Sequence, residues 1–173
     1  MRKSLLIASI LIMGAMTTPV MAGEGKGSIG AGSYAAAVST STTKLTYAGL
    51  ALVGGYEIND YISINGHYYF LSNINFTTEK VDGFDAMIRF GKTGEGFVGF
   101  GAIGFYSETL SDSTVTAQQF DFSGTLLGFG IGYNWENVGL VYEASVRSTG
   151  DYETFAGTSV TAATGSLNLS YRF

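Results

Sequence analysis

The chain has no cysteine, one proline, one tryptophan and a single histidine in 173 residues. Each shortage removes a class of protein. Without cysteine there is no disulfide framework, no thiolate nucleophile and no thiolate metal ligand. One imidazole, His67, rules out a metal site built on two or more histidines and leaves any nucleophile–histidine pair a single base. Charge is scarce as well: Asp, Glu, Lys and Arg make up 13% of the residues, about half the usual share. Apolar residues hold at 46%, so a solvated disordered tail is excluded. The net charge is −5, the wrong sign for a nucleic-acid surface, whose phosphates demand a basic face. After the first 22 residues no run approaches the ~18 apolar residues of a membrane helix.

What is present is glycine, at 25 residues, together with 11 Tyr and 12 Phe. The glycines follow no G-X-Y period, which excludes collagen. Met1 to Ala22 has the three parts of a secretory signal: Arg2 and Lys3, an apolar stretch from Leu5 to Ala15, and a small-residue end at Val20-Met21-Ala22. About 11 apolar residues are too few to cross ~30 Å of hydrocarbon as a helix. Cleavage after Ala22 is therefore expected, which makes residues 1–22 a signal peptide and 23–173 one exported domain. Arg2 and Lys3 are the only charges removed, so 7 basic and 14 acidic side chains remain and the net charge becomes −7.

The exported part alternates with a period of two. In Tyr61 to Phe70 the even positions are Ile62, Ile64, Gly66, Tyr68 and Phe70, and the odd ones include Ser63, Asn65 and His67. From Val138 to Ser148, Val138, Leu140, Tyr142, Ala144 and Val146 share one face, with Gly139, Glu143, Ser145 and Arg147 on the other. This is the pattern of strands with one apolar and one polar side. Eight such strands are predicted: Ser28 to Val38, Leu45 to Ile58, Tyr61 to Leu71, Lys80 to Gly91, Phe97 to Ser107, Gln119 to Asn134, Val138 to Ser148 and Thr158 to Phe173. Asn65-Gly66 has the chemistry of a two-residue hairpin turn, but the alternation keeps its phase straight through it.

Connection lengths give the architecture. Asn59-Asp60, Lys92 to Gly96 and Trp135 to Asn137 are tight, whereas Ser39 to Lys44, Ser72 to Glu79, Thr109 to Gln118 and Thr149 to Gly157 are longer and rich in Ser and Thr. Short turns at one rim and long loops at the other predict an all-β fold, an eight-stranded antiparallel transmembrane up-and-down β-barrel. A ten-residue strand tilted about 40° rises roughly 25 Å, the height of the apolar band of an outer membrane.

Charge placement sets the register. Glu57, His67, Asp85, Arg89, Glu143, Arg147 and Arg172 all fall opposite the large apolar residues of their strands. Turning a strand over would place an arginine in lipid at a cost of up to about 2–4 kcal/mol. These seven residues are therefore expected to line the lumen as a charge network, with Glu57, Asp85 and Glu143 balancing Arg89, Arg147 and Arg172. An eight-stranded barrel is only wide enough inside for side chains, so the network is expected to plug the lumen. Tyr56, Phe90, Phe97, Tyr133, Trp135, Tyr171 and Phe173 form one expected aromatic girdle, and Tyr68, Phe70, Phe84, Tyr106 and Phe120 the other. Glu79, Glu108, Asp112, Asp151 and Glu153 are placed in the long loops, giving an acidic outer rim with Lys44 and Lys80 as its cations.

Two motifs carry no chemistry here. Gly99-Phe-Gly101-Ala-Ile-Gly104 matches a dinucleotide fingerprint in letters, but it lies inside a two-faced strand rather than between a strand and a helix. Asn75-Phe-Thr77 and Asn168-Leu-Ser170 match a glycosylation acceptor, which has no meaning in a bacterial-type barrel. No catalytic, metal or cofactor residue is predicted, and His67 is read as a hydrogen-bonded lumen residue because no Ser and acid accompany it at a lipid boundary.

The strand pattern and the ending Leu167-Asn-Leu-Ser-Tyr-Arg-Phe173 resemble the small eight-stranded outer-membrane barrels: outer membrane protein X, Ail-type surface proteins, opacity-type antigens and the membrane domain of outer membrane protein A. The resemblance spans essentially all of 23–173. Its most specific element is Leu169, Tyr171 and Phe173, alternate residues ending on a C-terminal Phe, which resembles the family's signal to the barrel-assembly machinery. It implies a monomer in the bacterial outer membrane, non-enzymatic, with a structural or surface role in adhesion or envelope integrity. Its implied partners are outer-membrane lipids, lipopolysaccharide, the assembly machinery, and an extracellular or host ligand at the long loops. A narrow porin-like channel, a lipid-modifying enzyme and a soluble lipocalin-like barrel are the rival readings.

Overall fold

A computed structural model describes residues 25–75, 78–112 and 119–173. The expected signal peptide and part of the loop between the fifth and sixth strands lie outside the described residues. The strands are β1 (Gly27–Ser39), β2 (Lys44–Asn59), β3 (Ile62–Asn73), β4 (Glu79–Lys92), β5 (Gly96–Asp112), β6 (Gln119–Asn134), β7 (Val138–Arg147) and β8 (Thr161–Arg172). One helix, α1 (Gly150–Ala156), stands between β7 and β8. The strands pair antiparallel with their chain neighbours and close into a barrel, sealed where β1 meets β8 from Ser28↔Arg172 to Ser39↔Thr161. Closure leaves the glycine-rich β1 with no free edge.

The faces follow the alternation. Leu50 and Leu127 are 70% and 63% exposed, and Ile29, Leu52, Ile103, Phe129, Ile131 and Leu169 point the same way. Each such side chain left in water would forgo about 2 kcal/mol of burial, so a continuous belt of them is a surface made for hydrocarbon. The lipocalin-like alternative requires the reverse orientation and is excluded. No helix among the described residues is long and apolar enough to cross a membrane; the crossing is made by strands. Tyr56, Phe90, Phe97, Tyr133, Trp135, Tyr171 and Phe173 are all exposed beside the short turns. β3 runs unbroken through Asn65-Gly66, which pair with Gly55 and Gly54 of β2.

The tight turns are built by local chemistry. Asn59 Oδ1 accepts from the backbone N–H groups of Tyr61 and Ile62 at 2.8 and 2.9 Å, the Asx geometry that lets a short polar side chain stand in for a backbone turn. Gly96 begins β5 at φ 93°, a left-handed conformation that costs glycine nothing. The 134–138 hairpin closes through Trp135 N–H on the Val138 carbonyl at 2.7 Å.

Three expectations are corrected at the long-loop rim. β5 continues to Asp112 rather than ending at Ser107, and pairs there with the first residues of β6, which begins at Gln119 as expected and rises above its other neighbour β7, which has only 10 residues. The outward side chains Asp121, Ser123 and Thr125 on β6 are exposed, and their polarity marks the end of the lipid belt. Residues 150–156, read as an irregular loop, form α1, and β8 starts at Thr161 rather than Thr158. Of the residues expected in the outer girdle, Phe120 shares the inward face of β6 and packs against the buried cluster, and Tyr106 is 1% exposed and points inward. It keeps phase with Val98, Phe100 and Ala102, the buried face of β5.

Candidate functional site

The lumen is filled in three storeys. At the short-turn end Arg172, the penultimate residue, donates through Nη2 to both Glu57 oxygens at 2.9 and 2.8 Å and through Nε to Oε1 at 3.1 Å. Its Nη1 donates to the Trp135 carbonyl at 2.6 Å. Four hydrogen bonds on one guanidinium tie the last strand to β2 and to the 135–137 turn, a geometry that only the planar fork of arginine provides.

The middle storey crosses the barrel. Arg89 of β4 forms an ion pair with Glu143 of β7, and its guanidinium carbon lies 4.6 Å from the centroid of Phe100. Phe100 in turn lies over Gly130, where a Cβ would run into the ring. Gly130 is therefore the floor on which this large lumenal ring is seated. His67 Nδ1–H donates to Asp85 Oδ1 at 2.7 Å, and Nε2 accepts from the Asn168 amide at 3.1 Å. With both ring nitrogens engaged and 3% of its surface exposed, His67 is a structural crosslink between β3, β4 and β8.

The upper storey is organised by Arg147. Its Nη1 donates to Glu108 Oε2 at 2.6 Å, and its Nη2 donates to the hydroxyls of Tyr34 and Tyr69 at 2.8 and 3.1 Å. Asp85 Oδ2 lies 3.6 Å from the same nitrogen and accepts the Tyr34 hydroxyl at 2.5 Å. Tyr69 donates to Glu108 at 2.7 Å. The guanidinium also sits 4.4 Å from the Tyr106 centroid, a cation–π contact in a dry setting. Above it, Tyr152 of α1 donates to Glu108 Oε1. Burial, followed by the Glu108 carboxylate, holds that hydroxyl protonated far above the ordinary phenol range.

The structure places Glu57, His67, Asp85, Arg89, Glu143, Arg147 and Arg172 on the lumenal side, and brings them together as three ion-paired groups rather than one continuous net. Glu108 is the correction. The sequence pattern places it in a solvent-facing loop, but it is 5% exposed and receives Arg147, Tyr69 and Tyr152. The lumen among the described residues therefore holds four carboxylates, Glu57, Asp85, Glu108 and Glu143, against three guanidiniums, and does not balance at zero with His67 neutral. Asp151 and Glu153 are also committed: Asp151 accepts from the Ser123 N–H at 2.9 Å and Glu153 from the Val160 N–H at 3.2 Å. Glu79 accepts the Tyr47 hydroxyl at 3.0 Å, while the side chain of Asp112 lies outside the described residues. Tyr34, Tyr69, Tyr106 and Tyr152 belong to the site and were not anticipated, although the first three sit in phase with the inward face of their strands.

A void of about 30 Å³ lies below Arg89 and one of about 10 Å³ beside His67, with Glu143 lining both. The first has room for one or two water molecules and the second for at most one. Arg89 Nε and Asn168 Oδ1, which lack protein partners, belong to residues that border the larger void, a polar setting that suits bridging water.

Neither a protein-family model nor a curated protein matches this sequence. Solved structures do share the fold. Ail, the attachment invasion locus protein of Yersinia pestis, superposes with a TM-score of 0.57 at 21% identity, covering 87% of this chain and 99% of that one. Neisserial surface protein A gives 0.57 at 16% identity, over 84% of this chain and 95% of that one. OprG, an outer membrane protein of Pseudomonas aeruginosa, gives 0.51 at 14% identity, over 86% and 96%. The chain thus has the fold of the small eight-stranded outer-membrane barrels.

Proposed function

We propose that the protein is a monomeric, non-conducting and non-enzymatic barrel of the bacterial outer membrane, with a structural or surface-exposed role in adhesion or envelope integrity. The filled lumen carries the reading: ion-paired side chains occupy three levels, and the voids of about 30 and 10 Å³ among them have room for one or two water molecules, not for solutes. A porin-like path would need the Arg89–Glu143 and Arg147–Glu108 pairs parted together. Lipid chemistry finds no imidazole at the lipid boundary, since His67, the one histidine of the chain, lies inside with both nitrogens engaged.

A passive lumen moves any contact with the outside to the long-loop rim, and lipid contact to the belt and its flanking polar groups. The described exposed charges near that rim are Lys44 and Lys80 against Asp82, Asp121, Asp151 and Glu153. Ail has been solved with a heparin analogue, sucrose octasulfate. The acidic balance here opposes a polysulfated ligand and suits basic surfaces, or lipopolysaccharide phosphates reached through bridging divalent cations or through the two lysines. The C-terminal Leu169, Tyr171 and Phe173 supply the alternate outward residues that we assign to recognition by the barrel-assembly machinery.

The test is single-channel recording in planar bilayers together with cell fractionation. The expected result is no stable open level, with the protein in the outer-membrane fraction and migrating faster unboiled than boiled. A large, steady conductance would overturn the plugged lumen, and recovery wholly in the periplasmic extract would overturn the membrane assignment. Gene deletion is expected to leave the lipid profile unchanged.

A further inference from the structure

Tyr152 enters the mouth of the barrel from α1 and not from a strand. Its ring lies nearly parallel to Phe122, with centroids 4.4 Å apart at 13°, and Tyr106 stacks on it at 6.4 Å and 17°. The groups that grip it belong to β5 and β6, and Glu108 is oriented from below by Tyr69 and Arg147. That slot is built on rigid strands. The helix that fills it is short: α1 has seven residues, its C-cap Gly157 N–H bonds the Glu153 carbonyl, and Thr149 at its N-cap makes no side-chain capping bond. A helix so short has no stability of its own in water. It is held by side chains: Asp151 on Ser123, Glu153 on Val160, Phe155 against Phe120 and Phe122, and Tyr152 in the slot.

We propose that the slot is a ligand site open to the outer rim, that it takes a phenolic ring, and that Tyr152 is its built-in competitor. The walls select a flat ring between Phe122 and Tyr106. Glu108 selects a hydroxyl donor, because a buried carboxylate left short of a donor is costly. Net charge is disfavoured in either sign, since Arg147 meets a cation and Glu108 an anion. Phenol chemistry satisfies all three conditions, as Tyr152 does. An outside phenol binds when α1 lifts, so its apparent affinity is the intrinsic one reduced by the fraction of time the slot is open. The proposal extends the surface role above and does not depend on the lumen being closed to ions.

The experiment uses the full chain folded in lipid nanodiscs, with gel mobility confirming closure of each variant. The probe is 4-methylphenol, measured by calorimetry, with toluene as the ring without a donor. Tyr152→Ala is expected to bind 4-methylphenol saturably and at least tenfold more tightly than the parent, with toluene at least tenfold weaker. Tyr152→Phe, which refills the slot with a ring that lacks the donor, is expected to bind 4-methylphenol more tightly than the parent and more weakly than Tyr152→Ala, and protein-free nanodiscs control for partition into lipid. In the parent chain, 4-methylphenol is expected to speed amide exchange across 150–156. Equal binding of toluene, no binding to folded Tyr152→Ala, or unchanged exchange in the parent at saturating probe would each overturn the proposal. The exchange measurement decides alone if Tyr152→Ala does not fold. Binding of N-acetyltyrosinamide would assign the site to a tyrosine carried on a partner chain; binding of 4-methylphenol without it would assign the site to free phenols.

Discussion

The position of Glu108 is decisive for the upper storey, and a double-mutant cycle with Arg147 tests it. Glu108→Gln keeps shape and removes charge. It leaves the Arg147 guanidinium, 1% exposed on its side chain, with Asp85 at 3.6 Å as its remaining carboxylate in place of Glu108 at 2.6 Å. Removing one partner of a buried pair costs about 3–5 kcal/mol, because the other charge stays dehydrated. The residual Asp85 contact and the hydroxyls of Tyr34 and Tyr69 place the expected loss at the lower end, about 3 kcal/mol. Arg147→Met strands Glu108 and should cost a similar amount. The double variant should lose much less than the sum, with a coupling of about 2–3 kcal/mol. The assay is reversible urea unfolding in lipid vesicles, followed by gel mobility. A glutamate in a solvent-facing loop would give a change within about 0.5 kcal/mol and negligible coupling, and that result would refute the buried placement.

Three other outcomes follow from the same geometry. Leu127→Arg, in the outward belt, is expected to destabilise by about 2–4 kcal/mol in vesicles, while Asp121→Arg above the belt stays within about 1 kcal/mol; equal effects would misplace the belt. Gly130→Val should drive a side chain into the Phe100 ring and cost about 1–3 kcal/mol. Gly101→Ala, where an added Cβ meets nothing within 4 Å, should be neutral by the same unfolding assay. Arg172→Lys keeps the charge but cannot reproduce the fork to Glu57 and the Trp135 carbonyl. A loss of about 2 kcal/mol or more with slower folding into vesicles is expected, and parental stability would show that the C-terminal latch is unimportant.

Most of the barrel was readable because the two faces of each strand meet different solvents. Alternation over Lys80 to Gly91 or Val138 to Arg147 leaves one register that keeps arginine out of lipid, and that register is the observed one. The rim was less readable, for a physical reason. Above the lipid both faces of β5 and β6 can be polar, so Ser107-Glu108-Thr109 looks like loop. Phase was the surviving signal: Ala102, Tyr106 and Glu108 are two residues apart or a multiple of two, and all are buried. Assigning Tyr106 to a girdle overrode that phase. In α1 the usable signal was Tyr152 and Phe155, three apart on one helical face, too brief a pattern to set against a strand-rich background.

The surplus of carboxylates explains why the lumen is rich in tyrosine. Three guanidiniums cannot neutralise four carboxylates, and each carboxylate can accept several hydrogen bonds. The barrel supplies hydroxyls in place of a fourth cation. Asp85 takes Tyr34 together with His67, and Glu108 takes Tyr69 and Tyr152 together with Arg147. A phenol suits this task better than a lysine would: it fills the taper as a ring, loses little conformational freedom and donates one directed bond. It also accepts in return, as Tyr34 and Tyr69 do from Arg147. Side chains from β1, β3, β4, β5 and β7 are thereby locked to one another across the interior. A lumen so crosslinked is suited to holding shape rather than to opening.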